Sequence, residues 1–380
     1  MIKQNHSLKL VRGHTVSIER IYTYVYFILS VNSIVDASLI STGYFSDVIL
    51  AICGAILAGI IVYRSLKKKI PLWRFVLQVL IIFFFVISSY VTRRSNLLIF
   101  ALLIMGAESS RFHQIVRYCM RGLIAGLLIV GLALAFGIIH DYMQGRAHCF
   151  GFSYYHHVPY AMFNILLMYL YLRKTKLKLV SYIVIVVINW IVFHYTRTEL
   201  VFLLTFVVLI FRIIVDTEIR IDRPLIIHLS WLVFPLLCVL TYIAMRWYQP
   251  SAIWAAINRF SNKRLYMMNL GYTRYGITLL GQFVEMIGGN VLRTQKVATF
   301  YIDSAYAYSL LAYGLIFTML VIFMYSKICS SAAKNNDKML FFWCVAIALF
   351  SLSNNIWINL YNVPLLTALM SKKPFQGKLA

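Results

Sequence analysis

The chain has 380 residues, 61% of them hydrophobic and 13% charged, with a mean hydropathy of +0.79. That balance excludes a soluble globular domain and, with apolar runs of bilayer-spanning length, indicates an all-α polytopic membrane protein. The formal charge of +24 accompanies no soluble basic fold, so it is assigned to the flanks of membrane spans rather than to nucleic acid.

Apolar runs predict about twelve spans within one domain, 1–380. They fall near 20–37, 46–63, 72–91, 95–110, 120–139, 157–173, 178–195, 199–215, 225–245, 303–326, 338–353 and 355–371. One long interval, 246–302, separates two of them and is expected to be a large extracytoplasmic loop with a helix over about 251–274. Six scattered cysteines show neither metal-ligand nor disulfide spacing and read as packing residues.

With a cytoplasmic N-terminus, inner loops and span ends collect 25 of the 36 basic residues, including 14 lysines. The positive-inside bias therefore puts both termini in the cytoplasm. The opposite side keeps nine arginines, Arg93, Arg94, Arg146, Arg197, Arg246, Arg259, Arg264, Arg274 and Arg293, against Lys263 and Lys296. Arginine presents a planar donor fork suited to phosphate, so the excess points to an anionic ligand such as a diphosphate; pairing with outer carboxylates or lipid headgroups is the alternative. An outward general base must come from Asp36, Asp47, Asp141, Glu199, Glu285 or Asp303, or from His140, His148, His156, His157 or His194.

In chain order, the turn at Arg93 and Arg94 comes first, followed by the loop from Arg146 to Tyr160. That loop carries Arg146, His148, Tyr154, Tyr155, His156 and His157 before a span. Its aromatics suit sugar rings or an interfacial belt, and its histidines lack metal spacing. The next turn sets Arg197 beside Glu199, either as a local pair or facing a ligand. Asp303, before a span, is either a helix cap or a functional acid.

The ordered set resembles Wzy-type oligosaccharide repeat-unit polymerases, within the O-antigen ligase and polymerase superfamily. The matching segments are Arg146 with Gly151, Phe152 and Pro159, then Thr196-Arg197-Thr198, then Asn258-Arg259 through Gly281. Asp303 to Tyr306 with Leu310 to Leu315, and Asn355 to Leu366, complete the set. Tyr160 after Pro159, where the family often has Asn, departs from the pattern, as does the His156–His157 pair. The resemblance implies a GT-C-like fold and joining of undecaprenyl-diphosphate-linked units at the outer face of the bacterial cytoplasmic membrane, without metal or cofactor. It implies capsular, exopolysaccharide or O-antigen products, with a flippase and a chain-length regulator as partners. Arg146, Arg197, Arg264 and Arg274 are then the expected diphosphate contacts, Asp303 or His157 the base, and Tyr154 and Tyr306 the sugar-positioning residues. An O-antigen ligase, a lipid-linked oligosaccharide flippase and a non-catalytic scaffold are the alternatives.

Overall fold

Ser17 opens the first helix, its side chain accepting from the Arg20 amide at 3.3 Å, and an apolar stripe then carries the chain across the molecule. The computed structural model describes residues 17–41, 43–67, 72–173, 175–217, 220–249, 251–286 and 300–375. Expectations for Arg293 and Lys296 lie outside these. The described residues form α1 (Ile18–Asp36), α2 (Tyr44–Lys67), α3 (Leu72–Thr92), α4 (Asn96–Gly106), α5 (Phe112–Ala135), α6 (His157–Leu172) and α7 (Leu179–Thr196). They continue as α8 (Glu199–Val215), α9 (Pro224–Arg246), α10 (Ala252–Phe260), α11 (Arg264–Tyr275), α12 (Ala305–Tyr308), α13 (Gly314–Lys334) and α14 (Lys338–Phe350). Among the described residues the only sheet is a hairpin of β1 (Met143–Gln144) and β2 (Ala147–His148).

This is an all-α membrane protein. Among the described residues five helices are long and apolar enough to cross a bilayer: Tyr44–Lys67, Phe112–Ala135, Leu179–Thr196, Pro224–Arg246 and the composite Ala305–Lys334. α7 is the least embedded in protein, with Thr196 its only buried residue, so its aliphatic faces suit lipid contact. The core lies between the other helices, around Trp343, Trp357, Tyr22, Tyr26 and Tyr325.

α1 and α5 pack backbone to backbone because Gly122 and Gly126 leave room. A Cβ on Gly122 would stand 2.6 Å from Ser30 Cβ and 2.7 Å from the Phe27 carbonyl oxygen. Gly122→Val is therefore expected to destabilise the fold by about 1–3 kcal/mol through overpacking, read as a lowered thermal transition in detergent.

Hydrogen bonds sort the connections into two ends. At one, Ser153 donates its amide to Ala37 O, Leu39 to Gly151 O, and Asn96 Nδ2 to the Tyr361 hydroxyl. At the other, Arg111 N reaches Glu19, Lys372 N reaches Ser110 O, and the Tyr171 hydroxyl reaches Pro374 O. Arg64 pairs with Glu108 at this second end.

Two expected elements differ. The helix anticipated over 251–274 is two helices, α10 and α11, because Asn262 and Lys263 take left-handed backbone with φ of 50° and 64°. Asn258 Oδ1 accepts the Tyr266 amide across the break, a local bond that competes with continuous helix.

The interval 355–371 returns from the first end to the second without a continuous helix. Only Pro364–Leu369 forms a helical stretch, of 3₁₀ type. Asn354, Asn355, Asn359 and Asn362 favour local side-chain bonds, and Pro364 supplies no N–H. Such backbone persists at membrane depth only inside protein. Here the Tyr26 hydroxyl reaches Leu360 O, Ser30 Oγ reaches Tyr361 O at 2.6 Å, and Cys119 Sγ reaches it at 3.1 Å.

The composite span is also broken. A π-helical turn, Ser309–Tyr313, separates α12 from α13, and Gly314 follows with φ of +85°. The long loop docks into this break. Gln282 donates its amide to Ala312 O and its Nε2 to Leu311 O, while the Leu315 and Ile316 amides donate to Thr278 O and Leu279 O. Gly281 and Gly314 face each other at the crossing.

Candidate active site

Arg264 opens α11, and Asp303 ends the coil that leads into α12. Arg264 Nε donates to Asp303 Oδ2 at 3.0 Å. Ser304, rather than Asp303, caps α12, its hydroxyl accepting the Ala307 amide at 3.5 Å. The Asp303 carboxylate is thus free of the capping duty that competes with a chemical one. Both side chains remain partly open, at 24% for Arg264 and 35% for Asp303.

Burial pushes the Asp303 carboxyl up from the ordinary carboxylate range, and the charge and hydrogen bond of Arg264 counter this without reversing it. For the Arg264 guanidinium, burial acts downward, but Asp303 and the neighbouring tyrosines outweigh it and hold the group charged. Tyr155 and Tyr301 flank the pair. Burial, with Asp303 adding and Arg264 opposing, raises both hydroxyls, so each remains an O–H donor at neutral pH.

The first turn of α6 supplies the adjoining wall. The His156 ring lies 5.2 Å from Tyr154 and 4.8 Å from Tyr160, centroid to centroid. Burial, then His157 and Arg264, push its imidazole down to about 3, so it is neutral. His157 places Nε2 3.2 Å from Ser153 Oγ.

Of the expected residues, Arg264, Asp303, His157 and Tyr154 gather in this region. Tyr306 does not: it is fully buried, donates its hydroxyl to Ala348 O at 3.2 Å and packs edge-on against Trp357. It is a core residue, out of reach of sugar. Arg274 ends the helix that Arg264 begins, about 15 Å along the axis at 1.5 Å per residue, with its guanidinium over the Phe300 ring. Arg146 occupies the exposed two-residue turn of the β-hairpin, after Gly145 with φ of +66°.

Arg197 is exposed at the end of α7 in left-handed backbone, φ 53°, and forms no ion pair with Glu199. Tyr195, two residues earlier, packs on His148 and Phe150, which sets the hairpin against the end of α7. Glu199 lies near enough to Tyr155 to perturb its hydroxyl, so this turn borders the site. Asp141 leaves the list of bases: it accepts the Cys149 and Phe150 amides and contacts His148 Nδ1 at 2.6 Å, shaping the loop.

A polar cavity of about 580 Å³ opens beside α6 at the same end of the bundle. His156, His157 and Tyr160 form one wall, Arg93 and Arg94 another, and Asp36 and Asp47 a third. Seven asparagines line it, four of them from the non-helical return segment. Those four were the signal that sequence reasoning passed over: Asn354, Asn355, Asn359 and Asn362 interrupt an otherwise apolar run.

Among the described residues no three metal-ligating side chains converge. Chemically, the arrangement offers a raised carboxyl, a guanidinium whose terminal nitrogens bond to nothing among the described residues, hydroxyl donors and an open polar cavity. No protein-family model, curated protein or solved structure matches the chain.

Proposed function

We propose that the chain polymerises undecaprenyl-diphosphate-linked oligosaccharide repeat units at the outer face of a bacterial cytoplasmic membrane. On this reading both termini are cytoplasmic and the chain makes about twelve crossings in a GT-C-like arrangement, the last of them the return segment 355–371. The observation that carries this reading is the Arg264–Asp303 pair, set among tyrosines at the end of the bundle that holds the polar cavity.

In the reaction a sugar hydroxyl attacks the anomeric carbon of a second unit. The new C–O bond forms as the bond to the lipid diphosphate breaks, and the diphosphate leaves with the electron pair. Asp303 takes the hydroxyl proton. Its bond to Arg264 uses Nε alone, so the two terminal nitrogens of that guanidinium are available to the departing phosphate oxygens. Arg197, at the bordering turn, adds a second cation. Arg274, about 15 Å along α11 from Arg264, and Arg146, on the exposed hairpin turn, suit recruitment of the headgroup rather than its departure.

Purified protein given lipid-linked repeat units in detergent is expected to yield a ladder of longer products without added nucleotide sugar. Folded wild-type protein that leaves the substrate unextended would sink the proposal.

A further inference from the structure

The polar cavity carries more information than the charged pair beside it. Two of its lining amides have oxygens that are buried and have no partner among the described residues: Asn164 Oδ1, in a residue only 6% exposed, and Asn355 Oδ1. A buried acceptor without a donor is costly, and the cost is relieved when a ligand supplies one. The outer torsion of asparagine is soft, so a small turn presents either oxygen to the cavity.

Two of the other amides are half used. Asn362 Oδ1 accepts from Ser33 Oγ at 2.9 Å and Asn359 Oδ1 from the Tyr361 hydroxyl at 3.1 Å, which leaves their NH₂ groups as donors. The wall therefore presents free acceptors and free donors together. An anion needs donors and a cation needs acceptors; a hydroxyl uses both. Formal charge agrees, since Arg93 and Arg94 are balanced by Asp36 and Asp47 among the described lining residues, with no net field to select an ion. The volume of about 580 Å³ lies in the range of small-ligand sites, about 300–1,000 Å³.

We propose that this cavity is a saccharide subsite for uncharged, hydroxyl-rich sugar residues, with the Asn164 and Asn355 amide oxygens accepting sugar O–H groups. It selects neutral repeat units over those bearing uronic acids. The subsite deepens the polymerase reading and rests on it only for the sugar's attachment to a lipid-linked unit.

The test is saturation-transfer NMR on the detergent-solubilised full chain against two oligosaccharide pools. One pool contains hexoses, deoxyhexoses and N-acetylhexosamines; the other contains matched uronate-containing oligomers. The neutral pool is expected to give the stronger signal, unchanged between low and high salt. Asn164→Leu and Asn355→Leu should each weaken it about fivefold, while the thermal transition of the free protein rises or holds, because an orphaned buried polar atom has been removed. A merely structural amide would instead lower the transition. If Asn164→Leu fails to fold, Asn164→Ala removes the accepting oxygen without added bulk, and the neutral signal should fall. No signal from either pool, a preference for the uronate pool, or undiminished signals in both leucine variants overturns the subsite. Neutral-pool binding by protein that makes no ladder would keep the subsite and reject the polymerase.

Discussion

Asp303→Asn is expected to slow polymerisation by about 10²–10⁴-fold, the range for losing a positioned general base, with little change in thermal stability. The change keeps the side chain's shape and hydrogen-bond reach to Arg264 while removing the proton acceptor. The pH profile gives an independent reading. Burial already lifts the Asp303 carboxyl above the ordinary range, so the acid limb of the rate should lie above that of an exposed carboxylate. Below that limb the group is protonated and cannot act as a base. Arg264 is the charge that pulls the carboxyl down, so Arg264→Gln should move the limb to higher pH as well as lower the rate. Ladder formation by Asp303→Asn at the wild-type rate would remove Asp303 from the chemistry.

Gly314→Ala is expected to cost more stability than any other single methyl group discussed. Gly314 has φ of +85°, where an L side chain is strained, and its Cβ would collide with Gly281 N and meet Leu279 O at 2.7 Å. Both neighbours are backbone, so neither can rotate aside. Gly281→Ala meets the reciprocal obstacle, with φ of +96° and the Ala312 carbonyl oxygen at 2.6 Å. Each variant should lose at least about 2 kcal/mol, seen as poor yield and a depressed thermal transition. Because both act at one contact, the double variant should fall short of the sum of the single losses.

The class of fold was legible because hydrophobic run length is a local property, and the long loop stood out for the same reason. Asp303 and Arg264 were legible as an acid and a cation facing the same side, but their meeting at 3.0 Å depends on a coil and a helix start 39 residues apart. Tyr306 was misplaced because one tyrosine before a span reads alike whether it points to sugar or to Trp357. The run of asparagines near the C-terminus was hidden by its hydrophobic neighbours, which averaged the segment into an ordinary span. Helix propensity could not reveal the break at Gly314, since it exists only where the loop crosses.

The return of residues 355–371 without a continuous helix bears on how the protein is made. A segment with unpaired backbone groups cannot enter lipid by itself, as a helix can. Its carbonyls at Leu360 and Tyr361 are satisfied by Tyr26, Ser30 and Cys119, which belong to helices synthesised 334, 331 and 242 residues earlier. Biogenesis therefore has to hold α1 and α5 together, with their facing side open, until residues 355–371 have emerged. These two helices serve as the segment's solvent during insertion.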